Sequence, residues 1–255
     1  MKWMHALVGR ERTLAADQKL GLSLAFVAGA ANAGGFLAVG QYTSHMSGIV
    51  STMADEFVLG NLRLVLAGFG AFVCFTAGAA TSSLLINWAR RRRMHSEYAL
   101  SLLVEAVLML GFGLLGGWLS THTGFIVPFT VMWLCFLMGL QNAIVTKLSS
   151  KRIRTTHVTG LVTDIGIELG RLLYWNRNRS PDMPRVVADR GLLALNLGLL
   201  LLFLVGGIAG AWAFQRVGFV ATIPLALFLL VLAVMPVWED LQVRGRLLRL
   251  RYGRR

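Results

Sequence analysis

Two nine-residue segments of the chain combine a histidine, a glycine and several hydroxyl side chains at the same spacing. Residues 43–51 read T-S-H-M-S-G-I-V-S, and residues 155–163 read T-T-H-V-T-G-L-V-T. An imidazole can relay a proton or donate to an anion, and hydroxyls before a helix can satisfy its free N–H groups. Each segment therefore predicts a polar break that precedes a short helix, where the histidine either binds a small solute or hydrogen-bonds the broken backbone at the bend. The candidate binding residues are Thr43, His45, Ser47, Gly48, Thr156, His157, Thr159 and Gly160.

The similarity between the two segments extends to their surroundings. The additional matches are Gly29 with Gly139, Asn32 with Asn142, and Glu56 with Glu168. We therefore expect Asn32 and Asn142 to line the same site, although hydrogen bonding between helices is an equally good interpretation of these amides. The matches indicate a duplicated unit.

Three acidic side chains could supply coupling or polarity to such a site. Asp164 and Glu168 follow the second break. They are four residues apart, so they lie on one face of the predicted helix. A surface helix with an ion pair between Glu168 and Arg171 explains the same pattern without a function. Glu105 lies inside an apolar run, where an ionisable residue is a candidate functional group. The structural alternative is a protonated Glu105 that is hydrogen-bonded to Ser82 or Ser83.

The composition places these motifs in a membrane. Of the 255 residues, 56% are hydrophobic and 15% are charged, whereas an ordinary soluble domain has roughly 25% charged residues. Several apolar runs reach the ~20 residues that cross a bilayer core. This composition excludes a soluble globular enzyme, a disordered chain and a disulfide scaffold. The predicted membrane spans are Leu20–Gly40, Leu64–Trp88, Tyr98–Leu119, Phe125–Val145, Gly191–Phe214 and Gly218–Trp238.

The basic residues predict how the spans are oriented. The net charge is +13, and Lys and Arg concentrate before the first span, after the second and fourth spans, and in the tail 239–255. Because cytoplasmic connections carry most Lys and Arg, both termini are predicted to be cytoplasmic. A basic soluble protein would suggest nucleic acid, but basic residues between apolar spans indicate topology, so no nucleic-acid partner is expected.

Duplication of three spans inverts the second copy. The sequence predicts an all-α polytopic membrane protein with six transmembrane helices in two inverted-topology three-helix repeats. Each repeat has a polar break and a short half-helix after its first span. Repeat one covers about 20–119 and repeat two about 125–238, within a single membrane domain 1–255. Inverted repeats recur in secondary transporters, whose sites form where the repeats meet.

The second motif also resembles a known family. The segments M-G-L-Q-N-A at 138–143, I-R-T-T-H-V-T-G at 153–160 and T-D-I-G at 163–166 resemble the YoaK-like family of bacterial membrane proteins. The resemblance covers roughly Leu20 to Trp238 and implies a six-helix bacterial inner-membrane protein without an established substrate. Two positions depart from the family pattern. Ile49 stands where Asn is usual, and Asn32 stands where Asp is common.

These features lead to two hypotheses from different classes. The first is a small-solute transporter or permease that binds an unknown solute between the two breaks. The alternative is a non-transporting membrane protein, such as a partner-binding or lipid-organising subunit. Small-xxx-small pairs at Gly113/Gly117 and Gly206/Gly210 also fit a homodimer, although close packing of helices explains them first. Enzyme signatures are missing from the sequence, so no catalytic residue, cofactor or metal site is expected.

Overall fold

The chain folds as a bundle of α-helices. The computed structural model describes residues 14–92, 94, 97–119, 123–148, 158–175 and 184–234, and these residues form no strand. The prediction of an all-helical protein is confirmed for this part of the chain. The helices are α1 (Leu14–Val39), α2 (Met46–Val58), α3 (Leu62–Arg91), α4 (Ala99–Leu119), α5 (Thr123–Leu148), α6 (Val158–Leu173) and α7 (Arg190–Val217). A 3₁₀ turn (Gly218–Ala221) leads into α8 at residues 222–234.

Among the described residues, five segments are long and apolar enough to cross a membrane, which is compatible with a membrane-embedded protein. They are Asp17–Val39, Leu62–Arg91, Ala99–Gly116, Val127–Lys147 and Arg190–Val234. The first four correspond to the first four predicted spans, and the fifth joins the last two.

The fifth segment does not run straight. The 3₁₀ turn interrupts its 45 residues, and Gly218 at the start of the turn has φ +62°, a conformation that favours glycine. Leu202 before the turn and Leu225 after it line the same cavity. In a straight helix these two residues would lie ~35 Å apart. The chain therefore doubles back at the turn.

The helices α2 and α6 are the short helices that the sequence predicts after the two breaks. They have 13 and 16 residues, so they are ~20–24 Å long and too short to cross a bilayer core of ~30 Å. Helix α2 packs on α3, and α6 packs on α7.

The helices α1 and α7 form the first of two closely packed pairs. A methyl group on Gly29 would overlap the carbonyl oxygen of Phe203, and a methyl group on Gly206 would overlap the carbonyl oxygen of Phe26. Each helix thus contributes one Phe-x-x-Gly segment to a reciprocal contact. Gly210 meets the backbone of Ala30 one turn further on. Gly206 and Gly210 therefore serve packing within the chain.

The helices α3 and α5 form the second pair in the same way. A methyl group on Gly78 would overlap the carbonyl oxygen of Phe136, and one on Gly139 would overlap that of Phe75. These contacts again join two Phe-x-x-Gly segments. Because the clashing atoms belong to the backbone, neither pair could accept a larger residue at these glycines without moving a helix.

The two short helices lie at opposite ends of the bundle. Near the end of α1, the position of a Cβ on Gly35 is 3.2 Å from Leu134 Cδ1 in the middle of α5. Near the end of α5, the side-chain amide of Gln141 donates to the carbonyl of Leu24 near the start of α1, at 3.4 Å. Helices α1 and α5 are therefore antiparallel. Since α2 follows α1 and α6 follows α5, the two breaks are separated by the length of the bundle.

Candidate binding site

A glycine turn and an aromatic pair shape the break between α1 and α2. Gly40 has φ +69°, and its N–H donates to the carbonyl of Phe36 at 2.8 Å. The turn brings Tyr42 onto Phe36, with the two ring centroids 4.5 Å apart and the rings stacked. A side chain at position 40 would strain this left-handed conformation. The break is thus built locally before the chain enters α2.

His45 occupies the N-cap position of α2 without capping it. Its side chain makes no hydrogen bond to the start of the helix, and the ring lies over Gly48, with Nδ1 2.9 Å from the position of a Cβ there. Glycine at position 48 therefore leaves room for the imidazole. The side chain is exposed, and it has no hydrogen-bond partner in the part of the chain that the structure describes. The imidazole is accordingly available to a ligand.

Two adjoining cavities flank α2. The first, which we call the His45 pocket, has a volume of about 390 Å³ and is lined by Phe36, Tyr42, His45 and Gly48. The second, which we call the α2–α3 chamber, has a volume of about 220 Å³ and lies between α2, α3 and α5. Its lining includes Met53, Ala67, Gly68, Ala71 and Met132. Gln41, Ile49 and Thr52 line both cavities.

The other candidates in the first break have structural contacts. Thr43 is buried, with its hydroxyl oxygen 3.8 Å from the position of a Cβ on Gly35. Ser47 is exposed and lines neither cavity. Asn32 accepts a hydrogen bond from the Ser44 hydroxyl at 2.9 Å, which ties the break to α1. Of the predicted residues in this break, His45 and Gly48 therefore line a cavity.

The sequence analysis missed two polar residues that the cavities share. Gln41 lies in the turn before α2, and Thr52 lies one helical turn after Gly48. The helical spacing of 45, 48, 49 and 52 places these residues on one face of α2. Helical periodicity therefore could have identified Thr52, whereas no pattern marked Gln41.

The second break is described only in part. Thr156 and His157 lie outside the described residues, so the prediction that they bind the solute stays a prediction. Thr159 is exposed and Gly160 is half-buried in the first turn of α6. Neither residue lines the two cavities beside α2, because α6 lies at the other end of the bundle.

Glu168 connects α6 to the start of α7. The buried carboxylate pairs with Arg171 at 2.7 Å and accepts the backbone N–H of Asp189 at 2.7 Å. Asp189 in turn caps α7 by accepting the N–H of Leu192 at 3.0 Å. These contacts favour an anchoring role for Glu168. Asp164 is exposed on the same helix.

Glu56 makes the corresponding connection at the other end of the bundle. Its carboxylate accepts a hydrogen bond from the side-chain amide of Asn61, the N-cap residue of α3. In both halves an acidic residue of the short helix thus holds the residue that precedes the next long helix. The sequence match between Glu56 and Glu168 reflects this shared contact.

Two further polar candidates lie inside the long helices. The buried amide of Asn142 donates to the carbonyl of Met138 at 3.0 Å, one turn earlier in α5. Glu105 is fully buried in α4, and both of its carboxyl oxygens lack a hydrogen-bond partner in the described structure. The expected bond to Ser82 is wrong, because the Ser82 hydroxyl donates instead to the Ser101 hydroxyl at 3.4 Å.

Glu105 lies about one helical turn in depth from another buried oxygen without a partner among the described residues. The Tyr98 hydroxyl donates to the carbonyl of Lys147 at 3.1 Å. At the other end of α4, the Trp133 ring N–H donates to the carbonyl of Leu108 at 2.9 Å. These bonds fix α4 antiparallel to α5, and interpolation between them places Glu105 about one helical turn (~6 Å) from the height of Gln141. The side-chain oxygen of Gln141 also has no partner in the described residues.

The comparisons with known proteins establish a family but no activity. Residues 20–235 match the family described as "Protein of unknown function (DUF1275)". Because the match covers most of the chain, the chain belongs to this family. No curated protein and no solved structure matches the sequence.

Proposed function

We propose that this member of the DUF1275 family is a small-solute transporter or permease of a bacterial inner membrane. In this proposal, six spans form two inverted-topology repeats, and both termini are cytoplasmic. The turn at Gly218–Ala221 divides the 45-residue segment into spans five and six. The excess of Lys and Arg in alternate connections then places α2 on the outer side and α6 on the inner side.

The two helix crossings support the inverted repeat. Exchanging α1 with α5 and α3 with α7 converts one Phe-x-x-Gly contact into the other: Gly29 against Phe203 becomes Gly139 against Phe75. The links from Glu56 to Asn61 and from Glu168 to Asp189 are exchanged by the same operation. Packing contacts and polar contacts thus support the same equivalence of positions.

The observation that carries the proposal of transport is that equivalent positions of the two repeats hold side chains of different size. On α3, Gly68 and Ala71 line the α2–α3 chamber. The spacing of the Phe-x-x-Gly segments makes Asn196 and Leu199 the equivalent residues of α7, and both are buried. Among the described residues, small side chains border the chamber at one end and larger buried ones hold the equivalent positions at the other, as expected for a transporter resting with its site open to one side.

Coupling is assigned to Glu105 in this proposal. A carboxyl group buried without a partner is costly, and such a residue inside a membrane segment is a functional candidate. Asp164 and Glu168 are less suited, because the first is exposed and the second is held by Arg171 and Asp189. The alternative, a non-transporting membrane subunit, predicts no solute cavity between the repeats. The chamber beside α2 favours transport.

Efflux from proteoliposomes tests the proposal. Vesicles loaded with a mixture of amino acids, carboxylic acids and nucleosides would be followed by mass spectrometry of the released solutes. Ala67→Phe fills the chamber from α3, and Ala80→Phe adds the same ring to an exposed position of α3 that lines neither cavity. We expect at least one solute to leave faster with wild type and Ala80→Phe than with Ala67→Phe. Equal efflux of every solute from all three would contradict transport through the chamber.

A further inference from the structure

We propose that the solute is a medium-chain amphiphile with a carboxylate head, held with its chain in the α2–α3 chamber and its head in the His45 pocket. This inference rests on the proposed function, since it assigns a solute class to the same site. It goes further by naming the part of the solute that each cavity receives.

The α2–α3 chamber has the chemistry of a site for a hydrocarbon chain. Its lining is mostly aliphatic and includes Ile49, Met53, Leu64, Val131 and Met132. Met side chains adapt to flexible ligands because they have several rotatable bonds and a polarizable sulfur. A water-sized group occupies ~30 Å³, so the chamber volume of about 220 Å³ holds roughly seven such groups. The chamber therefore suits a chain of seven or so methylene groups and is too small for a phospholipid with two acyl chains.

The polar groups lie at one end of this space. Gln41 and Thr52 belong to both cavities, and His45 lines the pocket beyond them. Each can donate a hydrogen bond, and none has a hydrogen-bond partner within the part of the chain that the structure describes. A carboxylate, which only accepts hydrogen bonds, matches three donors that border the same pocket. A hydroxyl or amide head would use fewer of them.

The charge of the lining discriminates between head groups. No acidic side chain lines either cavity among the described residues, so a quaternary ammonium head would have no counter-charge there. The positive end of the α2 dipole lies beside His45, which holds the N-cap position of the helix. The electrostatics therefore favour an anionic head over a cationic one.

An amphiphile also has an apolar route to the chamber. The end of α2 and the start of α3 expose Phe57, Val58, Leu59 and Leu62, with exposed fractions of 62–85%. Leu64, which lines the chamber, is half exposed beside them. In a bilayer this surface faces lipid tails, so a chain that has partitioned into the membrane can enter from the side.

Photo-crosslinking in nanodiscs tests the inference without requiring transport. The probe is a ten-carbon fatty acid with a diazirine near the end of its chain, and the labelled peptides are mapped by mass spectrometry. We expect the probe to label residues around Met53 and Met132. We also expect octanoate to block this labelling at a concentration at least ten-fold lower than octyltrimethylammonium needs. Ala67→Phe should reduce this labelling at least ten-fold, whereas Ala80→Phe should leave it unchanged. Thermal unfolding of both variants verifies that they fold.

A second variant tests the head group. His45→Phe keeps a ring in the pocket but removes a hydrogen-bond donor, so octanoate should lose most of its advantage over octyltrimethylammonium. The inference would be overturned if labelling spread along α3 and were equal in the two Ala→Phe variants. Equal competition by the two amphiphiles would also overturn it. So would labelling by a diazirine phospholipid but not by the fatty-acid probe. If polar solutes show Ala67-dependent efflux without octanoate binding, this inference fails and transport stands. If octanoate binds without any efflux, the site stands and transport fails.

Discussion

At the α2 end of the bundle, Gly68 and Ala71 border a chamber of about 220 Å³. At the α6 end, the positions that the proposed repeat makes equivalent hold the larger, buried side chains of Asn196 and Leu199. The short helices follow the same contrast. Ile49 of α2 packs in a small cluster with Ala71 and Cys135, whereas its counterpart in α6, Leu161, belongs to the main core of the bundle with Leu199.

This difference teaches that similar contacts can border unequal space. The helix crossings and the links to the N-caps are alike at the two ends, whereas the side chains beside them differ in volume. Asn196 is informative in this respect, because both polar atoms of its side chain are buried without a partner in the described structure. An amide buried in this way costs about 1–3 kcal/mol. The cost is explained if Asn196 gains partners when the α6 end opens.

The largest expected effect concerns the crossings that the two halves share. Gly78→Ala and Gly206→Ala should each reduce the free energy of unfolding by about 2–3 kcal/mol, because the new methyl group meets a backbone carbonyl that no rotamer change can move. Unfolding by sodium dodecyl sulfate in mixed micelles measures the change. Gly166→Ala is the matched control, since a Cβ at Gly166 in α6 meets no atom within 4 Å. A clear difference between the two crossing variants, or costs no larger than the control, would break the equivalence of the halves.

A smaller effect is expected at the link between α6 and α7. Glu168→Ala should reduce the free energy of unfolding by about 1–2 kcal/mol, because it leaves the N–H of Asp189 without its acceptor. Asp164→Ala is the control, since Asp164 is exposed on the same helix. A stability change no larger than that of Asp164→Ala would show that Glu168 does not anchor α6.

The smallest effect on stability, with the opposite sign, is expected at Asn196. Asn196→Leu removes a buried amide that has no partner, so the free energy of unfolding should stay the same or rise by about 1 kcal/mol. Efflux should nevertheless be lost, because the open α6 end would lack its polar group. Asn142→Leu is the comparison, since it removes an amide that donates to Met138. Retained efflux in Asn196→Leu would separate Asn196 from function.

Much of the fold could be predicted from the sequence, because long apolar runs determine the helices that cross a membrane. The run predicted at Leu64–Trp88, for example, is α3 at Leu62–Arg91. The spacing of His45 and Gly48 in both motifs also identified a break and a short helix, since this signal is local. The turn after Val217 was predicted as a gap between spans, although the structure adds that it is a 3₁₀ turn.

The site was less predictable because its walls come from distant parts of the chain. Gly68 and Ala71 look in sequence like other small residues that pack helices together, and their role beside the chamber depends on where α5 lies. Thr43 shares the motif with His45, yet its side chain turns inward and is buried. The acceptor role of Glu168 depends on the backbone of Asp189, 21 residues away. A pattern of local spacing contains no information on such contacts.

Thiol accessibility tests the unequal filling of the two ends most directly. Ala67→Cys and Leu195→Cys lie at equivalent positions of α3 and α7, and each would be introduced with Cys74 and Cys135 replaced by Ala. A membrane-impermeant thiosulfonate is applied to either side of oriented vesicles. We predict that the cysteine at 67 is modified quickly from the outer side alone, and that octanoate slows this reaction. The cysteine at 195 should be modified at least ten-fold more slowly than the cysteine at 67, from either side. Equal rates at the two positions from one side would contradict it.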